Sequence, residues 1–401
     1  MISDGTRCGW ALRHRRWCAL ALSVWLASGC YLSHERGADA SARDAARIED
    51  APARPDVPEI DAGPIECRSL RVAATALLDE GVTPRLAALG GSDVGVVYVR
   101  TGGSAIRVFY ERRDRALGRV TGPVTIGTDS FSWAELAVAR GEVWVAYGLA
   151  GDRESVLARA TLDGAPLSRR IVPRYHPSIF QVAGEGFFWA AFAMRTDNAL
   201  ELSHLDADGS ETHPVVTIPL GRYGSGHGAI ARDASSHVVT YPREGPRGVR
   251  HGYVNQLTDR GELGPERLLD PAASDDTVVP VRTSRGLVLV RSSDDELVLE
   301  RLDPVSLETR ERLPHPALGA RPVAGVVADR VVVVHATSGT LSIDDFGTDL
   351  AGFERHREAI PVPGLGGGAS IAELPGALVF GITVNEGATP RPWLVRVECA
   401  P

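Results

Sequence analysis

The sequence predicts an all-β chain, folded as a seven-bladed β-propeller of four-stranded antiparallel blades and closed by pairing of its N- and C-terminal strands. Three observations lead there. From about residue 66 onward the chain reads as short β-prone runs separated by Gly, Asp and Pro, with no long helical periodicity. Two series of turn residues recur in phase, at a step of about 47 residues. One strand-like run stands unpartnered at the start of this region, and one strand is missing from its end.

The chain begins differently. Arg7, Arg13, Arg15 and Arg16 precede the apolar run Trp17 to Ala27, which is too short to cross a bilayer and suits the core of an export signal. The residues flanking Arg15-Arg16 fit twin-arginine export poorly. Leu26-Ala27-Ser28-Gly29-Cys30 follows. Charge, apolar run, small residues and cysteine in this order resemble the lipobox of bacterial lipoproteins, although Ala27 stands where Leu is usual. The resemblance implies that residues 1–29 are a removed signal peptide and that Cys30 is lipidated. With Tyr31 after the cysteine it implies an outer-membrane anchor in a Gram-negative cell envelope, on the periplasmic or surface side. Residues 30–64 then form a disordered tether, rich in Ala, Asp, Arg and Pro, with a root-mean-square reach of roughly 30 Å.

Composition excludes several chemistries. All 43 Lys+Arg residues are Arg, so Lys nucleophiles, Schiff bases and the phosphate-binding P-loop lysine are ruled out. Losing residues 1–29 removes four Arg and one Asp, which takes the formal charge from -8 to about -11. Nucleic acid demands a basic surface and is not an expected partner. Of the five cysteines, Cys8 and Cys18 leave with the signal and Cys30 carries lipid. The remaining pair, Cys67 and Cys399, is expected as a disulfide of the kind exported proteins carry.

Within residues 65–401 the first turn series is Gly90, Gly141, Gly186, Ser236, Gly286, Arg330 and Gly376. The second follows Leu162-Asp163, Leu205-Asp206, Leu257-Thr258-Asp259 and Leu302-Asp303, with Gly164, Gly209 and Gly261 in three of them and Gly118 as the upstream equivalent. Each unit is therefore a four-strand meander whose second strand is the most apolar. Those strands are read at Val94 to Val99, Val143 to Tyr147, Phe187 to Ala193, Val238 to Tyr241, Leu287 to Val290, Val331 to Val334 and Leu378 to Ile382. Runs apolar on both faces suit strands covered on both sides. The seventh unit has only three strands, ending with Trp393 to Val397, and Leu70 to Leu78 supplies its fourth. The Cys67–Cys399 bridge then stands where other units have their Leu-Asp-Gly turn.

Loops before the innermost strands gather on one face and carry the unusual chemistry: Phe131 and Trp133, Arg174, Tyr175 and His176, Arg222, Tyr223 and His227, Asp275 and Asp276, and His315 and Arg321. Arg offers forked donors and Tyr a stacking face, which suits an anionic or glycan ligand. His176, His227 and His315 have no diagnostic metal spacing, so neither metal nor cofactor is expected. Asp206-Ala207-Asp208-Gly209 reads as a tight turn, and Gly366-Gly367-Gly368 as a flexible loop between units. No Gly-x-Ser-x-Gly elbow occurs. The functional expectation is a non-enzymatic, monomeric binding or scaffold module for a protein or glycan partner, held to the membrane by its lipid. Asp275, Asp276, Asp294 and Asp295 keep open a polysaccharide hydrolase or lyase using paired carboxylates. A structural subunit of an envelope assembly is the second alternative.

Overall fold

The computed structural model describes Cys67 and, short internal stretches apart, residues 69–400. All of these belong to the unit Asp61–Pro401. Among the described residues every helix or strand is a strand, and the strands form four-stranded antiparallel sheets. After β1 (Ser69–Leu77), sheet one comprises β2 (Val82–Gly90), β3 (Asp93–Gly102), β4 (Ala105–Arg113) and β5 (Arg119–Thr128). Sheet two comprises β6 (Ser130–Ala139), β7 (Glu142–Leu149), β8 (Ser155–Thr161) and β9 (Pro166–Val172). Sheet three is β10 (Pro177–Ala183), β11 (Gly186–Phe192), β12 (Ala199–Leu205) and β13 (Val216–Pro219). Sheet four is β14 (Ala229–Arg232), β15 (His237–Glu244), β16 (Arg250–Leu257) and β17 (Arg267–Leu268). In sheet five β18 (Thr277–Thr283), β19 (Gly286–Ser292), β20 (Leu297–Leu302) and β21 (Thr309–His315) pair in order. Sheet six does the same with β22 (Val323–Val327), β23 (Arg330–Thr337), β24 (Thr340–Asp345) and β25 (Glu358–Pro361). The remaining strands, β26 (Leu365–Leu374), β27 (Ala377–Glu386) and β28 (Thr389–Ala400), take β1 as their outer partner, in the order β1-β28-β27-β26.

Turn chemistry explains the repetition. Gly141 between β6 and β7 has φ 72°, and Gly164 between β8 and β9 has φ 86°, conformations that cost a side-chain-bearing residue energy. Sheet six lacks a glycine at the first of these turns. Ala328 and Asp329 take φ 45° and 66° there, and the Ser284 amide of sheet five donates to Asp329 Oδ1 at 2.5 Å.

Each expected second strand falls in the matching second strand of its sheet, with Phe187 to Ala193 running one residue beyond β11. Val94 and Val96 to Val99 in β3, and Val331 to Val334 in β23, are buried because neighbouring sheets cover both faces. Hydrophobic clusters bridge sheets one and two, two and three, and so on through six and seven, and a further cluster joins Val379 and Leu394 of sheet seven to Val96 and Tyr98 of sheet one. The first strands touch in the same succession, from β2 through β6, β10, β14, β18 and β22 to β26, and β26 touches β2. Four-stranded antiparallel sheets meeting through their first strands have the arrangement of a β-propeller.

A side-chain pattern also repeats. The Tyr98 hydroxyl donates to Glu111 at 2.7 Å, its ring stacks on Phe109 at 5.8 Å, and Arg100 lies over Phe109. In sheet four Tyr241 donates to Asn255 at 2.8 Å, stacks on Tyr253 at 5.9 Å, and Arg243 lies over Tyr253. Tyr98 pairs with Phe109 and Tyr241 with Tyr253 in register, so these are equivalent positions of two units.

β1 pairs antiparallel with β28 from Ser69↔Ala400 to Leu77↔Trp393, with one bulge between Val72 and Ala74. Cys67 and Cys399 lie at disulfide-bonding distance, with Cα atoms 5.1 Å apart. Arg330 of sheet six, itself 2.9 Å from Asp345, reaches the Cys67 carbonyl at 3.4 Å. One loop expectation is corrected: Gly366, Gly367 and Gly368 lie within β26. Its pairing with β27 is irregular there, shifting register on either side of Gly367, as a strand without side chains to anchor it tends to do.

Candidate functional site

Most of the predicted loop residues, Arg174, Tyr175, His176, Arg222, Tyr223, His227 and Arg321, lie outside the described residues, as do Cys30 and the aspartates at 275, 276, 294 and 295. Trp133 and Phe131 fall within β6 itself rather than in the loop before it, in the stretch where pairing with β7 shifts register. His315 is described. It ends β21, the outer strand of sheet five, and is buried.

Around His315 the fold assembles a polar cluster. Its ring meets Phe346 edge-on at 5.5 Å, and its Nε2 lies 3.5 Å from Asp344 Oδ2 of β24. The same carboxylate oxygen is 2.6 Å from His335 Nε2 of β23. Ser342 pairs with His335 across β23 and β24, so the two side chains share a sheet face. Asp344 is two residues further along β24 and shares that face too. Two imidazoles thus converge on one carboxylate between sheets five and six, all of them nearly inaccessible to solvent. A buried carboxylate so placed orients an imidazole and fixes its tautomer. No group of three or more His, Cys, Asp or Glu among the described residues has metal-holding geometry.

His335 and Asp344 escaped the sequence reading, though a signal was present. His335 directly follows the run Val331 to Val334 on a strand covered on both sides, and a polar residue in such a strand is more telling than an apolar one.

Two further charged constellations form where neighbouring sheets meet. On the first strands of sheets one and two, Arg85 Nε lies 3.0 Å from Glu135 Oε1. Burial pushes the Glu135 carboxyl up from its ordinary value, and the Arg85 charge opposes that. At the disulfide corner Glu398 accepts from Arg396 at 2.7 Å and from Arg115 at 3.2 Å. The two guanidiniums outweigh partial burial and hold the Glu398 carboxyl below the usual range. A cleft of about 510 Å³ opens beside it, lined by Ser92, Arg115, Gly376, Arg396, Glu398 and Cys399 among others.

No family model and no curated protein matches the chain. Solved structures are similar at low identity. One, from a study of two prolyl endopeptidases, is 15% identical with a TM-score of 0.47, over 77% of this chain and 46% of that one. The chain therefore spans less than half the length of that enzyme. The Dos1 propeller is 10% identical with a TM-score of 0.48, covering 82% and 95% of the two chains. Apo AztD from Citrobacter koseri is 12% identical with a TM-score of 0.45, covering 80% and 90%.

Proposed function

We propose that this chain is an exported lipoprotein, anchored through Cys30, whose seven-bladed closed propeller acts as a non-enzymatic binding scaffold for a protein or glycan. The observation that carries this reading is the corner where β1 meets β28, with Cys67 and Cys399 at bonding distance. A bridge between residues 332 apart persists in an oxidising compartment, in keeping with the export signal read at residues 1–29. Closure with seven blades is supported by the unbroken succession of first-strand contacts and inter-sheet clusters that returns to its start. A rigid ring held at every interface suits the presentation of convergent loops, and Arg174, Tyr175, Arg222 and Tyr223 supply anion-pairing and stacking groups to them.

The test has two arms in the full-length chain. Labelled palmitate should enter the wild type and be absent from Cys30→Ser, which should also leave the membrane fraction. On a glycan array and in cross-linking to envelope proteins, Arg174→Ala/Arg222→Ala should lose the interactions that wild type and Arg169→Ala retain. Release of new reducing ends from a polysaccharide by the purified protein would overturn the non-enzymatic reading.

A further inference from the structure

The outer strand of a sheet exposes a row of backbone donors and acceptors, and proteins usually blunt such edges. Here nearly all are blunted. β5 contains Gly122-Pro123 and shifts register repeatedly against β4. β9 opens with Pro166 and carries Arg169 and Arg170. β13 and β25 are four residues long and end on Pro219 and Pro361, while β17 has two residues. β21 carries Arg310, Glu311, Arg312 and Pro314. β1 differs from all of them. It has nine residues, no proline and a single charge, Arg71, and it exposes Arg71, Ala73, Thr75 and Leu77. Beyond its bulge, Ala74 to Leu77 pair with Arg396 to Trp393 without interruption, leaving a regular edge.

The charge beside this edge is one-sided. Arg71 stands opposite Glu398 in register, and Glu398 is already held by Arg396 and Arg115. Two guanidiniums hold one carboxylate, Arg71 lines the same groove, and Arg115 is 70% exposed. The first acid after the strand in sequence, Asp79, is paired with Arg119 at 3.0 Å. A groove of about 570 Å³ follows Arg71 to Ala74 and is completed by Arg115, Ala116 and Glu398.

We propose that β1 is an open docking edge to which an extended, acidic segment of a partner polypeptide adds as a fifth strand. Backbone pairing to β1 supplies the attachment, and carboxylates of the segment meet Arg71 and Arg115. The chain's own preceding residues are poor candidates, because Pro52, Pro55, Pro58 and Pro64 withhold ladder donors. A second copy would bring another Arg71 and Arg115 to the same groove, opposing like charges.

The experiment uses the full-length chain and three capped peptides: alternating Val and Thr with two Glu, the same with Gln for Glu, and the Glu peptide N-methylated at alternate amides. Fluorescence polarisation and hydrogen exchange of the Leu70 to Leu77 amides are read together. The Glu peptide should bind and protect those amides, and Arg71→Gln/Arg115→Gln should weaken it by about tenfold with unchanged melting. The N-methylated peptide should fail to bind. Equal binding of the Gln or N-methylated peptide, absence of binding by all three, or protection of β1 by concentration-dependent dimers would each overturn the proposal.

Discussion

Ala328 is the residue at which the repeat departs from its own rule. Most other units place glycine at the turn between first and second strands, as at Gly141, yet here an alanine holds φ 45°. Its Cβ costs about 1 kcal/mol in that region, partly offset by the greater freedom a glycine loses on folding. Ala328→Gly should therefore raise the unfolding free energy by up to about 0.5 kcal/mol, read from urea midpoints. Glu135 offers a second residue-scale test. Its folded carboxyl is raised by burial, so its contribution is fully present below its ordinary value of 4.5 and is lost as pH rises through the folded value. Glu135→Gln should remove that fall, so denaturation midpoints of mutant and wild type measured from acid to neutral pH should diverge in slope. The His315, His335 and Asp344 cluster shows where reading by residue type stops. His315 was visible as a loop-proximal histidine, but its partners lie 20 and 29 positions away and meet it only through the pairing of β23 with β24 and the packing of sheet six on sheet five.

At the scale of elements, the second strands and the turns were legible because both rest on local rules. An apolar run bounded by turn residues declares a buried strand, and a fixed step between turns declares a repeat. The pairing of β1 with β28 was legible for another reason: strand counting left one strand over and one place empty, and each carried a cysteine. Trp133 and Gly366 to Gly368 were misplaced because strands β6 and β26 begin earlier than their apolar pattern, in stretches whose pairing is irregular. The closing element yields its own prediction. Cys399→Ser should lose about 2–5 kcal/mol of stability relative to oxidised wild type, and the two should coincide in reductant. Equal denaturation curves without reductant would show that the bridge contributes nothing. Within sheet five, the buried Arg291–Glu300 pair at 2.8 Å should make Glu300→Ala costly, by about 3–5 kcal/mol in the same assay, because a guanidinium is left buried beside the gap.

For the whole molecule, stability is distributed over interfaces between sheets, and the cluster joining Leu78, Tyr98, Val379 and Leu394 is one of two that both ends of the described chain must build. A chain that begins at Asp79 lacks β1 and leaves β28 bare. It should self-associate in sedimentation while the intact chain stays monomeric, and monomeric behaviour of the truncated chain would show that β28 needs no cover. The overall architecture was readable because it is periodic. Ligand identity was not, since the residue types at Arg174, Tyr175, Arg222 and Tyr223 suit any anionic or stacking ligand and name none.

The sheet shared by β1 and β28 also fixes an order of events. Among the described strands β1 is synthesised first, yet its ladder partner β28 comes last. Throughout elongation and passage through any membrane, this apolar, nearly uncharged strand has nowhere native to go. The final docking step joins segments more than three hundred positions apart, so it carries a loop-closure cost that the local pairings of the other sheets do not. During that interval the same edge that serves a partner in the finished protein is the chain's main exposure to wrong ones.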